Sequence, residues 1–297
     1  MRSHPVKVVA RDDRRSNSLI GHAFARNRLA AGALAAIALA IVAALGAPWL
    51  PLPDPDAVDT PSRLQTPGTP GHPLGTDEFG RDLLSRLVWG ARVSLLAGVG
   101  TAAAAMLMGV SLGLLAGYYR GWVETLIMRF TDILMAFPFI LLAIAIVAAL
   151  GPSLGNVMIA VGVRSIPSFA RLARSMVLSL KELEFVQGAA ALGASHARVL
   201  FRHILPNSVS PLLVFSSMQV ATAILLAAIL SFLGLGVQPP TPEWGKMVSD
   251  GRAYLLEAPH VSLFPGLAIF IAVMGFNCLG DGLRDALDPR VGRVAVE

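Results

Sequence analysis

The sequence predicts an all-α membrane protein with about six transmembrane helices, and three observations predict it. Of 297 residues, 55% are hydrophobic and 14% are charged, where an ordinary soluble domain carries roughly 25% charged residues. The apolar residues fall in uninterrupted runs of membrane-spanning length. The basic residues collect mostly in the segments on one side of those runs.

A helix rises about 1.5 Å per residue, so crossing a hydrocarbon layer of about 30 Å takes about 20 mostly apolar residues. Leu29 to Ala47 is the first such run. Its length exceeds the core of a cleaved signal peptide, and Pro48-Trp49-Leu50-Pro51 is a poor cleavage context, so it reads as a retained span over 29–50. Val93 to Gly117 is the second, without a charge. Ile133 to Gly151 is the third, Val209 to Val237 contains the fifth, and Val261 to Gly280 is the sixth. The fourth is short: Pro152 to Val163, interrupted by Arg164 and continued to Ala170.

Charge settles whether that run crosses. The N-terminal arm (1–28) and the segment between spans four and five (Arg171, Arg174, Lys181, Arg198, Arg202) are both strongly basic. Cytoplasmic loops carry an excess of Lys and Arg, so both belong inside and an even number of crossings separates them. With six spans, 17 of the 24 Lys and Arg lie in cytoplasmic segments. Both termini, including the tail 284–297, are then expected to be cytoplasmic, and the protein a multi-pass membrane component.

Outside the spans, 51–92 is an outer segment. Its first part, 51–75, is rich in Pro, Asp, Thr and Gly and reads as irregular loop. Between Asp77 and Arg92 the apolar residues Phe79, Leu83, Leu84, Leu87 and Val88 share one helical face. Two readings stand for it: an amphipathic helix lying at the outer interface, or the first turns of span two. The outer loop 238–260 carries an amphipathic piece near Met247 to Leu256. Pro138 and Pro265 are expected to kink their helices. Cys278, the single cysteine, is read as a buried packing residue.

Several chemistries are excluded. No Gly-x-x-x-x-Gly-Lys-Ser/Thr loop is present to cradle a phosphate, so the chain does not hydrolyse ATP. There is no nucleophile–base arrangement and no metal-ligand spacing; His72, Asp77 and Asp82 read as local turn formers. The net charge of +5 comes from residues at the ends of apolar runs, without interleaved aromatics, so no nucleic acid is expected.

Seven polar positions in or beside the spans stand out. Arg164 interrupts the shortest span and is a candidate to line a pathway, to sit at a membrane edge, or to pair with Asp132. Gln219 and Asn277 are polar groups within spans, either bonding between helices or facing the pathway. Asp281, Arg284, Asp285 and Asp288 follow span six at spacings of three and four, which suits ion pairs along a helix end.

The informative segment is 182–206. It begins Glu182-Leu183-Glu184-Phe185-Val186-Gln187-Gly188-Ala189-Ala190-Ala191-Leu192-Gly193 and ends His203-Ile204-Leu205-Pro206. Physically it is a helix, a glycine stop, a second helix and a proline. Gly193 is placed to end the first helix in the left-handed conformation. The four small residues Gly188 to Ala191 let the helix backbone approach another surface closely.

This segment resembles the EAA loop of ABC importer permeases, whose pattern is Glu-Ala-Ala, three residues, Gly, nine residues, an apolar residue, one more, then Leu-Pro. Here those places hold Gln187, Gly188, Ala189, Gly193, His203, Leu205 and Pro206, with the spacing intact and three identities changed. His72 to Leu95 and Phe276 to Arg290 are similar to segments of the C-type permeases of dipeptide, oligopeptide and nickel importers. The resemblance implies the type I importer permease fold, with a core of five spans (93–283) and span one wrapping a partner. It implies a coupling loop at 182–206, with Glu184, Phe185, Gln187, Gly188, Ala189, Ala190, Leu192 and Gly193 in the part that docks on an ATPase. The implied partners are a second, related permease, two ATP-binding subunits that hold ATP and Mg, and an extracytoplasmic peptide-binding protein. No cofactor is expected on this chain, and dipeptides or oligopeptides are the expected cargo. Import of nickel or another small solute is the alternative within the group. An ion-coupled transporter or channel is the alternative outside it, disfavoured by the docking loop and by the scarcity of acids within spans.

Overall fold

In the computed structural model, which describes residues 28–287, the chain is a bundle of helices with a packed cap at one end and a helical hairpin at the other. The helices are α1 (Arg28–Gly46), α2 (Leu83–Tyr119), α3 (Gly121–Ala136), α4 (Phe139–Leu150), α5 (Leu154–Lys181), α6 (Glu184–Ala191), α7 (His196–Phe232), α8 (Trp244–Gly251) and α9 (His260–Leu287). Most of the N-terminal arm and the tail from residue 288 lie outside the described residues.

Each of the six predicted runs corresponds to a helix or a helix pair: α1, α2, α3 with α4, α5, α7 and α9. By length and composition α2, α7 and α9 suffice to cross a membrane. The third run differs from expectation. Pro138 does not kink a continuous span but separates α3 from α4, whose axes diverge by 94°. The residue before a proline is pushed out of the helical region, and Phe137 sits at φ −79°, ψ 133°. Pro265, one turn and a half into α9, is carried inside an unbroken helix.

Of the two readings of 77–92, the structure holds the second. Asp82 caps the helix by accepting from the Ser85 N–H at 2.7 Å, and α2 then runs unbroken for 37 residues. At about 1.5 Å per residue it is roughly 55 Å long, so its first turns stand clear of a 30 Å hydrocarbon layer.

The closest helix pairing is α2 against α5, and small residues make it so. A Cβ at Gly109 would lie 2.6 Å from the Ile166 carbonyl oxygen and from the Phe169 Cβ, and one at Gly117 would lie 2.7 Å from the Val177 Cβ. Gly113 between them abuts the Ala170 carbonyl in the same way. Glycines at 109, 113 and 117 form one stripe along α2, and such stripes let helix backbones pack where lipid supplies no hydrophobic drive. Below the stripe, Phe169 is fully buried and meets Phe215 of α7 edge-on at 5.1 Å.

Helix α1 packs on this chain's own core: Ile37 and Ala44 are buried with Ala221, Ala272 and Phe276. Its other face, with Leu39, Val42 and Leu45, is exposed.

The cap, residues 47–82 with 233–259, has little regular structure, as expected, but is tightly ordered by buried charge. Asp77 accepts from the N–H groups of Phe79 and Arg81 on Oδ1 and from Arg81 Nε on Oδ2 at 2.6 Å, and Arg86 Nε approaches that same Oδ2 at 3.4 Å. Arg86 also reaches the Pro55 carbonyl at 2.8 Å and Asp56 at 3.1 Å. His72 Nδ1 lies 2.9 Å from Asp82. Glu243, buried, caps α8 through the N–H groups of Gly245 and Lys246 and bonds Ser94 of α2.

Candidate functional site

The hairpin opposite the cap is built from 182–206. Helix α6 begins at Glu184 and ends in a Schellman closure: Ala194 N–H bonds the Ala189 carbonyl and Gly193 N–H bonds the Ala190 carbonyl. Gly193 takes φ +84°, the left-handed region where a side chain is strained. The chain turns there and Ser195 caps α7 through the Arg198 N–H.

The return arm is wound unusually. Val199–Ile204 is π-helical, with the Leu205 N–H bonding the Leu200 carbonyl. Pro206 explains the widened turn: it has no N–H for the Arg202 carbonyl, and its ring crowds that carbonyl. The side chains of Asn207 and Ser208 bond the carbonyls of His203 and Ile204, at 2.6 and 2.9 Å.

Only one side chain of α6 is buried. Val186 packs with Val177 of α5 and with Val199, Leu200 and Ile204 of the return arm. Around it Phe185 is 46% exposed and Leu192 is 91% exposed, which leaves an apolar ridge that nothing among the described residues covers. Glu184, Gln187, Gly188 and Ala190 are exposed and Ala189 is half-buried. Gln187 reaches the Glu182 carbonyl at 3.3 Å, and a Cβ at Gly188 would meet nothing within 4 Å. His203, at the position usually apolar in the EAA pattern, lies beside Phe185 with ring centroids 6.4 Å apart.

The three polar candidates in the spans are not brought together by any contact with one another. Arg164 is exposed, its guanidinium 5.7 Å from the Phe139 ring centre. It does not pair with Asp132; that carboxylate takes Arg171 at 2.7 Å, while Arg174, one turn further along α5, takes Glu124 at 2.7 Å through Nε. These two pairs tie α3 to α5. Gln219 is buried within the bundle and Asn277 is half-buried, and neither makes a side-chain hydrogen bond among the described residues. The expected interhelical bonds are thus absent. The ion pairs expected after span six are likewise not seen among the described residues: Asp281, Arg284 and Asp285 are exposed, and Asp288 lies outside. Cys278 is half-buried and free.

Sequence reasoning missed two features. The spacing of Gly109, Gly113 and Gly117 was a readable signal for the α2–α5 contact. The ring of Tyr118, which meets both arms of the hairpin, had no local signal, because its partners are 63 and 78 residues away.

Comparison with known proteins follows the same lines. The family described as the binding-protein-dependent transport system inner membrane component matches residues 109–293. The glutathione transport system permease protein GsiD of Pectobacterium atrosepticum is 49% identical, over 90% of this chain and 89% of its own length. The dipeptide transport system permease protein DppC of Alkalihalophilus pseudofirmus is 50% identical, over 90% and 87%. Among solved structures, an inward-facing conformation of the MetNI methionine ABC transporter superposes with a TM-score of 0.57 at 17% identity, covering 69% of this chain and 98% of that one. This likeness extends to the fold. With a bundle of the importer-permease type, an EAA-like hairpin at one end and matching relatives over nine-tenths of its length, the chain belongs to the family of binding-protein-dependent transport system inner membrane components.

Proposed function

We propose that this chain is a permease subunit of an ATP-driven importer of dipeptides or oligopeptides, and that the hairpin 182–206 couples it to ATP hydrolysis. The cap faces outward and receives cargo from a peptide-binding protein. The hairpin and both termini face the cytoplasm of a bacterial cell. A second, related permease completes the pathway as a heterodimer. Two ATP-binding subunits hold ATP and Mg and supply the energy, while this chain performs no catalysis. Arg164, exposed on α5, is the candidate to line the pathway. Asn277, half-buried, and Gln219, buried, are weaker ones.

The observation that carries the coupling role is the ridge of α6. Phe185 and Leu192 are exposed at a helix whose single buried side chain is Val186. Burying them against a partner recovers apolar area at about 25 cal/mol per Å², and the open Gly188 leaves room for close approach. The movement of the docked helix is useful to transport only if its contacts differ between inward- and outward-facing states.

The test is a pair of substitutions outside the spans. Ala189→Trp keeps the helix but holds it off a partner groove, and Gly193→Val strains the left-handed turn by about 1–2 kcal/mol. Both variants are expected to insert and to pair with the second permease. Both should lose peptide transport and the stimulation of ATP hydrolysis by loaded binding protein. Normal transport by both removes the coupling role.

A further inference from the structure

The hairpin leaves the bundle at Lys181 and its return arm starts at His196, and both residues close on one side chain, Tyr118 in the last turn of α2. The Tyr118 hydroxyl is hydrogen-bonded to His196 Nδ1 at 2.7 Å. The two rings meet edge to face, centroids 5.4 Å apart. From the other side, Lys181 Nζ lies 4.7 Å from the centre of the Tyr118 ring and donates to the Tyr118 main-chain carbonyl at 2.8 Å. That carbonyl is among the last of α2 and has no partner within the helix, so Lys181 caps α2 while it flanks the ring. Tyr119 stands edge-on to Tyr118 at 5.3 Å, and Arg120 lies 3.6 Å from Glu182.

We infer that Tyr118 is a positioning residue for energy coupling: a clasp that ties the start of each arm of the hairpin to the end of α2 and makes 182–195 move as one body with it. The inference rests on the coupling role proposed above. The geometry supports it in three ways. Without the clasp, the two arms are joined by the apolar contacts around Val186 and by the Phe185–His203 ring pair, and the π-helical return arm offers an easy place to bend. With it, any displacement of α6 is passed to α2. Because the glycine stripe seats α2 directly on α5, the push reaches the spans without being absorbed in side-chain rearrangement. The contacts are a cation over a ring, an edge-to-face pair and a neutral hydrogen bond, each modest in itself. Together they converge on one ring, so one substitution tests them all.

The test uses the assembled importer in proteoliposomes, measuring peptide taken up per ATP hydrolysed, with Ala189→Trp as the reference for a failed dock. Tyr118→Ala is expected to lower peptide per ATP by about five-fold, the factor that about 1 kcal/mol represents. Tyr118→Phe, which keeps the ring and loses the hydroxyl, should fall between it and the parent. A purely structural residue would reduce the amount of assembled complex and leave the ratio unmoved. A second measurement avoids any question of folding: cysteines at Tyr118→Cys and His196→Cys, in a chain with Cys278→Ala, are joined by a short bifunctional thiol reagent. The uncross-linked double-cysteine importer should show the low peptide-to-ATP ratio of Tyr118→Ala, and cross-linking should raise it towards the parent's. A ratio that stays low or falls further on cross-linking, or a Tyr118→Ala ratio equal to the parent's while Ala189→Trp uncouples, overturns the clasp and leaves the coupling role standing. If Ala189→Trp also transports normally, the coupling role itself has failed.

Discussion

Replacing Gly109 by alanine adds one methyl group to the tightest helix contact in the molecule. The added carbon would lie 2.6 Å from two atoms of α5, the Ile166 carbonyl oxygen and the Phe169 Cβ, and 3.2 Å from the Ala170 nitrogen. Ordinary contact begins at 3.4 Å, so α2 and α5 must separate or slide by most of an ångström. Two of the three atoms are backbone, and Phe169 is fully buried, so no flexible side chain can absorb the shift. Overpacking of this kind costs about 1–3 kcal/mol. Gly162→Ala on α5 is the matched control. Its Cβ would meet only Thr101 Cγ2 at 3.7 Å, and there the better helix propensity of alanine is worth up to about 1 kcal/mol in the opposite direction. Gly109→Ala gains the same propensity, so the two variants should differ by the overpacking cost alone, about 1–3 kcal/mol. Thermal inactivation of the detergent-solubilised importer, each variant against the parent, reads the difference. Gly109→Ala should inactivate several degrees below Gly162→Ala. Equal midpoints would refute the close backbone contact.

Four further outcomes are expected. Arg81→Ala leaves the Asp77 carboxylate, 4% exposed, with Arg86 at 3.4 Å as its remaining cation; the cost is about 3 kcal/mol, and the 51–82 segment should become sensitive to protease, whereas parental resistance would mean the pair is dispensable. Burial, reinforced by neighbouring Asp77, raises the Glu78 carboxyl above its usual 4.5. A carboxyl raised on folding contributes stability that is full below pH 4.5 and lost as the pH rises through its raised value. Glu78→Gln should accordingly gain on the parent as the pH is brought from 4.5 towards neutrality, and a gap that does not change with pH would contradict the assignment. Arg164→Cys, with Cys278 replaced, should react with a water-soluble thiol reagent at a rate that changes with nucleotide; silence in every state removes Arg164 from the pathway. Reporter fusions at residues 60 and 250 should read outside, and those at 122 and 190 inside. An outside signal at 190 would end the proposed orientation.

How much of this was legible beforehand depended on the range of the interaction. The long apolar runs are local properties of composition and length, and they predicted the helices that cross. The hairpin was equally legible, because a glycine stop at Gly193 and a proline at Pro206 act within a few residues of themselves. Pro138 was recognised as a disturbance, but whether a proline kinks or breaks a helix depends on what the two halves pack against, so the 94° divergence of α3 and α4 was not readable.

Partnerships across the fold lay beyond the sequence. Asp132 had several basic residues to choose from, and the antiparallel placement of α3 on α5 gave it Arg171 instead of Arg164. The cap looked like loose loop because Pro, Asp and Gly dominate it; its order comes from Arg81 and Arg86 sharing Asp77 in a dry interior, which needs α2 to project beyond the membrane beneath it. Tyr118 resembles any interfacial tyrosine until Lys181 and His196 close on it. By itself the sequence determined that this is a helical membrane protein with an EAA-like hairpin, since apolar length, basic asymmetry, a glycine stop and a proline are written in consecutive residues. Which charges pair, which glycines touch and which ring receives both arms of the hairpin were decided only by the tertiary structure, because those contacts join residues that distance along the chain leaves unrelated.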